Sequence, residues 1–313
     1  MRYFRFVVPG DEVHLYPLPC WHIGARQSSE GFIRHVLKLI REDPLARWIY
    51  LGDGGECALK NSKGNIYEQL MNPGEQLRTV AALLAHVKDK GLFGIRGNHG
   101  NRIDRETGLG WDEMLCSRIV VPYLGVSSFG TIELRPDAGP GVPVSVYVHH
   151  GSSSSVSVGG KFNAAKKPEA YSMADVTLTA HTHMLAEVPE RLVAWVNHES
   201  FRVEWKRLYG FVCGSAYDSR SGYAEEKQYP PIVPGHMVVK LKVLQEGHSR
   251  RIVVSGEKIR GIGEEFTDDR ELMKWTLSAA QGVKGTIDDE PRPWVDTNLD
   301  DFVLVDPEPE VQS

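Results

Sequence analysis

The 313-residue sequence predicts an α/β fold built on two packed β-sheets. Three observations lead there. The first two thirds alternate short apolar runs with helix-period patterns, the signature of layered α/β architecture. After His183 strand-like runs follow one another with little helix between them, which suggests a second, largely antiparallel sheet. Finally, several of the early strand-like runs end in His, Asp, Asn or Cys, as sheets do when they carry a ligand site beyond their carboxyl ends.

In chain order, YFRFVV and VHLYPLP read as strands. Apolar positions at Phe32, Ile33, Val36, Leu37 and Ile40 form one helical stripe, with Ser28 or Ser29 as the cap. WIYLG is a short buried strand. A second amphipathic helix spans residues 73–87, with Pro73 placed to start it and Gly91 to end it. LFGIRG, VSVYVHHG and DVTLTAH are further strands, and LAEVP, LVAWV, RVEWKRLYGFV, HMVVKLKVL and RRIVVS supply the second sheet. SSSSVSVGG lies between two motif-bearing strands and reads as a site loop better than as a linker. The main domain is expected over residues 1–256. Residues 257–313 form a C-terminal extension with a candidate helix at 270–280 and an acidic, partly disordered tail.

Composition removes several classes. With 41% hydrophobic and 25% charged residues the chain is globular, not fibrous or wholly disordered. No run approaches the roughly 18 apolar residues of a membrane span. Arg5, Asp11 and Glu12 interrupt the N-terminal apolar residues, so no secretory signal is expected and the location is cytoplasmic. Cys20, Cys57, Cys116 and Cys213 are scattered without a CxxC, which argues against a zinc ribbon or thioredoxin-type site and for free thiols. The net charge is −5, but nine acids and one base, Arg292, fall at or beyond residue 286, leaving a body at +3. Such a body is compatible with an anionic substrate.

Five strand ends carry the chemistry: Cys20-Trp21-His22, Gly52-Asp53, Gly97-Asn98-His99, His149-His150-Gly151 and His181-Thr182-His183. A lone histidine is usually an ordinary core or surface residue. Five such clusters converging on one sheet edge point to a metal site.

The order xxH, GDxxE, GNH, HG, xHxH resembles the calcineurin-like metallophosphoesterases over residues 18–184. The stretches LGDGGECALKNSKGNIYEQ and HHGSSSSVSVGGKFNA are similar to phage and prophage members. The resemblance implies a four-layer α/β/β/α sandwich and a two-metal site for manganese, iron or zinc. It places Asp53 between both ions, Cys20, His22 and His183 on one, Asn98, His150 and His181 on the other, and His99 beside the leaving group as general acid. A hydroxide held between two cations would attack a phosphomono- or phosphodiester. The phage similarity adds weight to a nucleotide or nucleic-acid substrate, and to a host cytoplasm as its setting. No basic stripe marks a nucleic-acid surface, no membrane partner is expected, and the oligomeric state is open.

Two positions depart from the family pattern. Cys20 stands where an Asp is usual; a softer thiolate ligand would favour iron or zinc over magnesium and expose the site to oxidants, whereas a merely packed thiol would leave that ion weak. Gly100 stands where GNHE or GNHD is commonest, and Asn101 or Asp104 could take the acid's place. Arg96 and Arg102 are phosphate-contact candidates or salt-bridge partners; Glu56 is a supporting acid or a plain loop residue. His150 is preferred to His149 because the family's ligand directly precedes Gly. Trp21 stacks on substrate or packs, Lys161 and Asn163 reach a phosphate or the solvent, and His14, His35 and His86 are structural. The competing reading is a catalytically impaired scaffold of the same fold that has lost one metal. A metal hydrolase of another bond is a third.

Overall fold

The computed structural model describes residues 2–62, 66–137, 139–153, 155, 157–220, 231–246 and 249–261. The candidate helix at 270–280 and the acidic tail lie outside the described residues. Strand β1 is Arg2–Pro9, β2 Glu12–Leu18, β3 Ala46–Tyr50, β4 Gly91–Gly94, β5 Ser127–Arg135 and β6 Val142–His149. Strand β7 is Val176–Thr179, β8 Leu185–Asn197, β9 Arg202–Ser215, β10 Gly235–Glu246 and β11 Ser249–Arg260. The helices are α1 Glu30–Glu42, α2 Pro73–Ala85, α3 Gly100–Thr107, α4 Trp111–Ile119, α5 Val158–Ala165 and α6 Lys167–Tyr171.

One sheet half runs β1-β5-β6-β7-β9, with β8 paired to β9; the other runs β10-β2-β3-β4, with β11 paired to β10. The halves are joined by two residue pairs between β9 and β10, Gly235 with Ser215 and His236 with Gly214. They face each other across a shared apolar layer that takes Phe4, Leu15, Ile49, Phe93, Ile132, Val146, Leu178 and Met237 from both. The rings of Phe4 and Phe93 meet there with centroids 4.3 Å apart. Helices α1, α2 and α4 cover the outer face of the β2–β4 half through Phe32, Ile33, Val80, Leu84 and Leu115. Helices α5 and α6 cover the other half around Ala165, Val188 and Val212. This is an α/β/β/α sandwich, as the change of pattern after His183 anticipates.

Helix α1 buries the expected stripe, but neither serine caps it by its side chain: Ser29 stands at the N-cap without a cap bond, and Ser28 Oγ donates to the Trp21 carbonyl. Helix α2 starts at Pro73 behind a capping box of Asn72 and Glu75. Gly91 does not end that helix; it opens β4 after a short 3₁₀ turn at Lys88–Lys90. LAEVP and LVAWV form one strand, β8, with the register shift between Val188 and Arg191 spanning Pro189. Strand β5 and helices α3 to α6 were not anticipated. Two of the four buried positions of β5 are Ser128 and Gly130 rather than apolar side chains, which weakens the period-two signal. The ordered pairing continues past Gly256 to Arg260 of β11.

Candidate metal centre

Strands β2, β3 and β4 are mutually parallel, as are β6, β7 and β9. Their carboxyl ends open onto one edge of the sandwich, and the turn after each carries part of the site. Cys20 and His22 follow β2, Asp53 follows β3, Asn98 and His99 follow β4, His150 follows β6, and His181 and His183 follow β7. The turns are tied to one another by main-chain bonds: Cys20 N–H donates to Gly52 O at 3.1 Å, His22 N–H to Asp53 O at 3.1 Å, and Ala180 N–H to His150 O at 3.0 Å.

These turns are sharp. Cys20, His22, Asp53, His181 and His183 all adopt left-handed backbone, with φ of 50°, 51°, 56°, 64° and 59°. Non-glycine residues avoid this region at a cost of order 1–3 kcal/mol each, and such strain concentrates at functional sites. Gly52 (φ 86°) precedes Asp53 because a Cβ there would overlap the backbone of Gly97. The two ligand turns can therefore touch.

Three overlapping groups of donors result. Cys20, His22 and His183 bring one ligand atom each to within 4.8 Å of one another, and so do Cys20, Asp53 and His150, and His22, Asp53 and His99. Nε2 of His22 and Nε2 of His183 are 3.1 Å apart. On the other side Nε2 of His150 lies 3.0 Å from Asp53 Oδ2 and 3.1 Å from Asn98 Oδ1, and Nδ1 of His181 lies 2.7 Å from the same Asn98 oxygen.

The hydrogen bonds behind these atoms set their protonation. His150 Nδ1 donates to the Leu51 carbonyl at 2.5 Å, His181 Nε2 to the Ser153 carbonyl at 3.1 Å, and His22 Nδ1 to Glu56 Oε2 at 3.0 Å. In the neutral rings the remaining nitrogens, those turned into the site, then carry lone pairs. Lone pairs of His150, His181, Asn98 and Asp53 thus converge with few donors among them. Such a set suits cations, and imidazole, carboxylate, amide and thiol together fit transition metals. The residues present fit a metal centre, with Asp53 the carboxylate that belongs to two of these groups.

Electrostatics follow the same pattern. Burial alone would raise the pKa of Asp53; the surrounding imidazoles of His150, His99 and His22 hold it well below the usual carboxylate range. Burial opposes charge on His150, but Asp53 beside it raises its pKa. Burial, then the neighbouring His22, holds His183 well below the ordinary imidazole value, and burial, then His150, lowers His181. Burial, then Asp53, pushes the Cys20 thiol well above its ordinary value. Cys20 has no solvent exposure, so the free thiol is shielded; the oxidant sensitivity expected from the sequence concerns a metal-bound thiolate.

His99 belongs to the third of these groups, with His22 and Asp53. Its N–H backbone donates to Asp53 Oδ1 at 2.8 Å, its Nδ1 to the Glu56 carbonyl at 2.7 Å, and its Nε2 accepts from Arg102 Nη2 at 3.1 Å. Burial lowers its pKa to about 4.

Of the lesser candidates, Glu56 and Arg102 are brought to the site. Arg96 instead pairs with Asp104 at 3.0 Å. Trp21 is buried in the helix-side core, His149 Nδ1 accepts from Gly151 N–H at 2.7 Å, and Asn163 is exposed on α5. Lys161 lines a separate 290 Å³ cleft beside Met184 and Leu185. His14 is structural, bonded to Asp43 and Glu12. The low-complexity segment does serve as a site loop, through the Ser153 carbonyl on His181, before α5 begins.

Two further residues join the site that the sequence did not single out. Tyr217, just beyond β9, packs its ring 5.3 Å from that of His22 and 5.6 Å from that of His183. Asp112 of α4 is buried under the Asn98 turn, whereas Asp104 is committed to Arg96. Burial, reduced by the Tyr50 hydrogen bond and reinforced by Asp53, raises the Asp112 pKa to about 7. An aromatic next to a strand end and an acid on an amphipathic helix carry no special pattern, so neither was readable in the sequence.

No protein-family model matches the chain, and no curated protein matches it. Solved structures resemble it loosely. Vacuolar protein sorting 29 from Cryptosporidium parvum is 12% identical with a TM-score of 0.34, over 80% of this chain and 100% of that one. The NAD nucleotidase of Haemophilus influenzae is 11% identical with a TM-score of 0.36, over 87% of this chain and 56% of that one. A protein serine/threonine phosphatase from Saccharomyces cerevisiae is 10% identical with a TM-score of 0.31, over 80% and 82%. Likenesses this loose carry no inference about the site, whose chemistry rests on its own side chains.

Proposed function

We propose that the chain is a dinuclear metal-dependent phosphoesterase. The observation that carries this reading is the convergence of lone pairs from two sheet edges onto Asp53, together with the motif order that resembles metallophosphoesterases. Cys20, His22, His183 and Asp53 would hold one ion, and Asp53, Asn98, His150 and His181 the other. Bound there, a pair of cations supplies Lewis-acid polarisation of a phosphoryl group and a nucleophile at neutral pH.

The chain's own residues do the rest. Leu51, Ser153 and Glu56 accept the outward imidazole hydrogens and so keep the inward nitrogens basic. Arg102 is partly exposed beside His99 and can turn its guanidinium to a phosphate oxygen. His99 Nε2 then loses its Arg102 partner, and its lone pair would take up a proton from solvent and pass it to the leaving oxygen, which returns the ring to its neutral form. Its Nδ1 stays on the Glu56 carbonyl, which fixes the ring.

The impaired-scaffold reading draws on one observation, the buried neutral thiol of Cys20 where a carboxylate would bind metal more readily. Metal analysis of the purified protein separates the two: close to two ions per chain supports the enzyme, and one or none supports the scaffold. Supplied with manganese, iron or zinc, the protein is expected to hydrolyse aryl phosphate mono- or diesters. A panel adding nucleotides and single- and double-stranded DNA would identify the substrate class, and metal-loaded protein inert on all of them would refute the reading.

A further inference from the structure

We infer that Asp112 is a positioning residue for this centre, bracing both ligand turns from α4, and that Gly100 is glycine to make room for its carboxylate. The inference rests on the metal-centre reading above. Asp112 Oδ1 accepts from the Tyr50 hydroxyl at 2.6 Å, and the same hydroxyl oxygen accepts from Gly54 N–H at 2.8 Å. Asp112 Oδ2 accepts from Gly97 N–H at 3.2 Å. Gly54 follows Asp53 and Gly97 precedes Asn98. One buried carboxylate, 1% exposed, therefore links the turn that carries Asp53 to the turn that carries Asn98 and His99.

Gly100 supplies independent support. It is the first residue of α3 and does not adopt left-handed backbone, so its conformation demands no glycine. Space demands it: a Cβ at this position would overlap Oδ2 of Asp112. An acid at position 100 and the acid at position 112 compete for one volume, and this chain fills it from α4. Both groups that Asp112 meets are donors. A carboxylate can accept from both at once, whereas an amide would set its own NH₂ against one of them.

The test is an exchange of the acid between the two positions. Manganese and zinc binding are measured calorimetrically for wild type, Asp112→Asn, Asp112→Ala, Gly100→Asp and the double variant Asp112→Ala/Gly100→Asp. Circular dichroism of each protein checks folding. Each single variant is expected to weaken at least one ion by about 10–100-fold, the range typical of groups that orient ligands. The double variant is expected to recover to within a few fold of wild type, because the acid returns to the vacated volume from the other side. A purely structural acid would not be replaced in this way. If Asp112→Ala does not fold, the isosteric Asp112→Asn decides on affinity. Wild-type affinity in Asp112→Asn, or a double variant no tighter than the weaker single one, overturns the inference. Wild type that binds no metal overturns the underlying reading instead.

Discussion

Glu56 accepts the Nδ1 hydrogen of His22 at 3.0 Å, and this bond points the Nε2 lone pair of His22 at His183. Burial works against the Glu56 charge, but His99, His22 and Arg102 keep its pKa below the ordinary value, so the acceptor is ionised at neutral pH. Glu56→Ala is expected to lower affinity for the ion held by His22 by about 10–100-fold. A metal titration with unchanged affinity would refute the orienting role.

Asp53 is the carboxylate in two of the three donor groups, and it also accepts the backbone N–H of His99. Asp53→Ala should lose at least one ion and all turnover. His99→Ala should retain both ions and lose rate by about 10²–10⁴-fold, the usual worth of a proton-transfer group. Elemental analysis beside steady-state kinetics distinguishes the two; metal lost from His99→Ala would make His99 a ligand.

Cys20 gives the site a pH signature. Burial keeps its thiol neutral, so ligation must release a proton. Affinity at that ion should fall as pH drops, by up to about tenfold per unit from this one proton. Cys20→Asp should remove much of this dependence and shift preference toward manganese. Cys20→Ser should weaken the ion because a neutral hydroxyl is a poor ligand. Identical stoichiometry, affinity and pH profile in Cys20→Ser would remove Cys20 from the ligand set.

The sandwich depends on the layer between its sheets. Phe4 is fully buried and meets Phe93 across that layer at 4.3 Å. Phe4→Ala is expected to cost about 3–5 kcal/mol of unfolding free energy. Denaturant titration monitored by circular dichroism checks it, and a loss below about 1 kcal/mol would mean the sheets close over the cavity.

The layered architecture and the strand-end clusters were legible in the sequence because both are local. Pro73 and the Phe32–Ile40 stripe specify their helices through neighbours three or four residues away. WIYL and VTLT are short buried runs whose last residues hand Asp53 and His181 to the sheet edge. That set of titratable residues at consecutive strand ends was readable without knowing how the strands pair.

What the tertiary structure decided is what depends on distant partners. Glu56 was even-handed in sequence and acquires its role only because β2 and β3 lie side by side, which brings His22 within 3.0 Å across 34 residues. Arg96 and Arg102 look alike in the chain, but Asp104 takes the first and His99 the second. The acid near Gly100 arrives from α4, because a packed helix delivers a carboxylate by proximity in space and leaves no spacing to read. Local periodicity is written in the order of residues, whereas the company a charged side chain keeps is set by how the layers close.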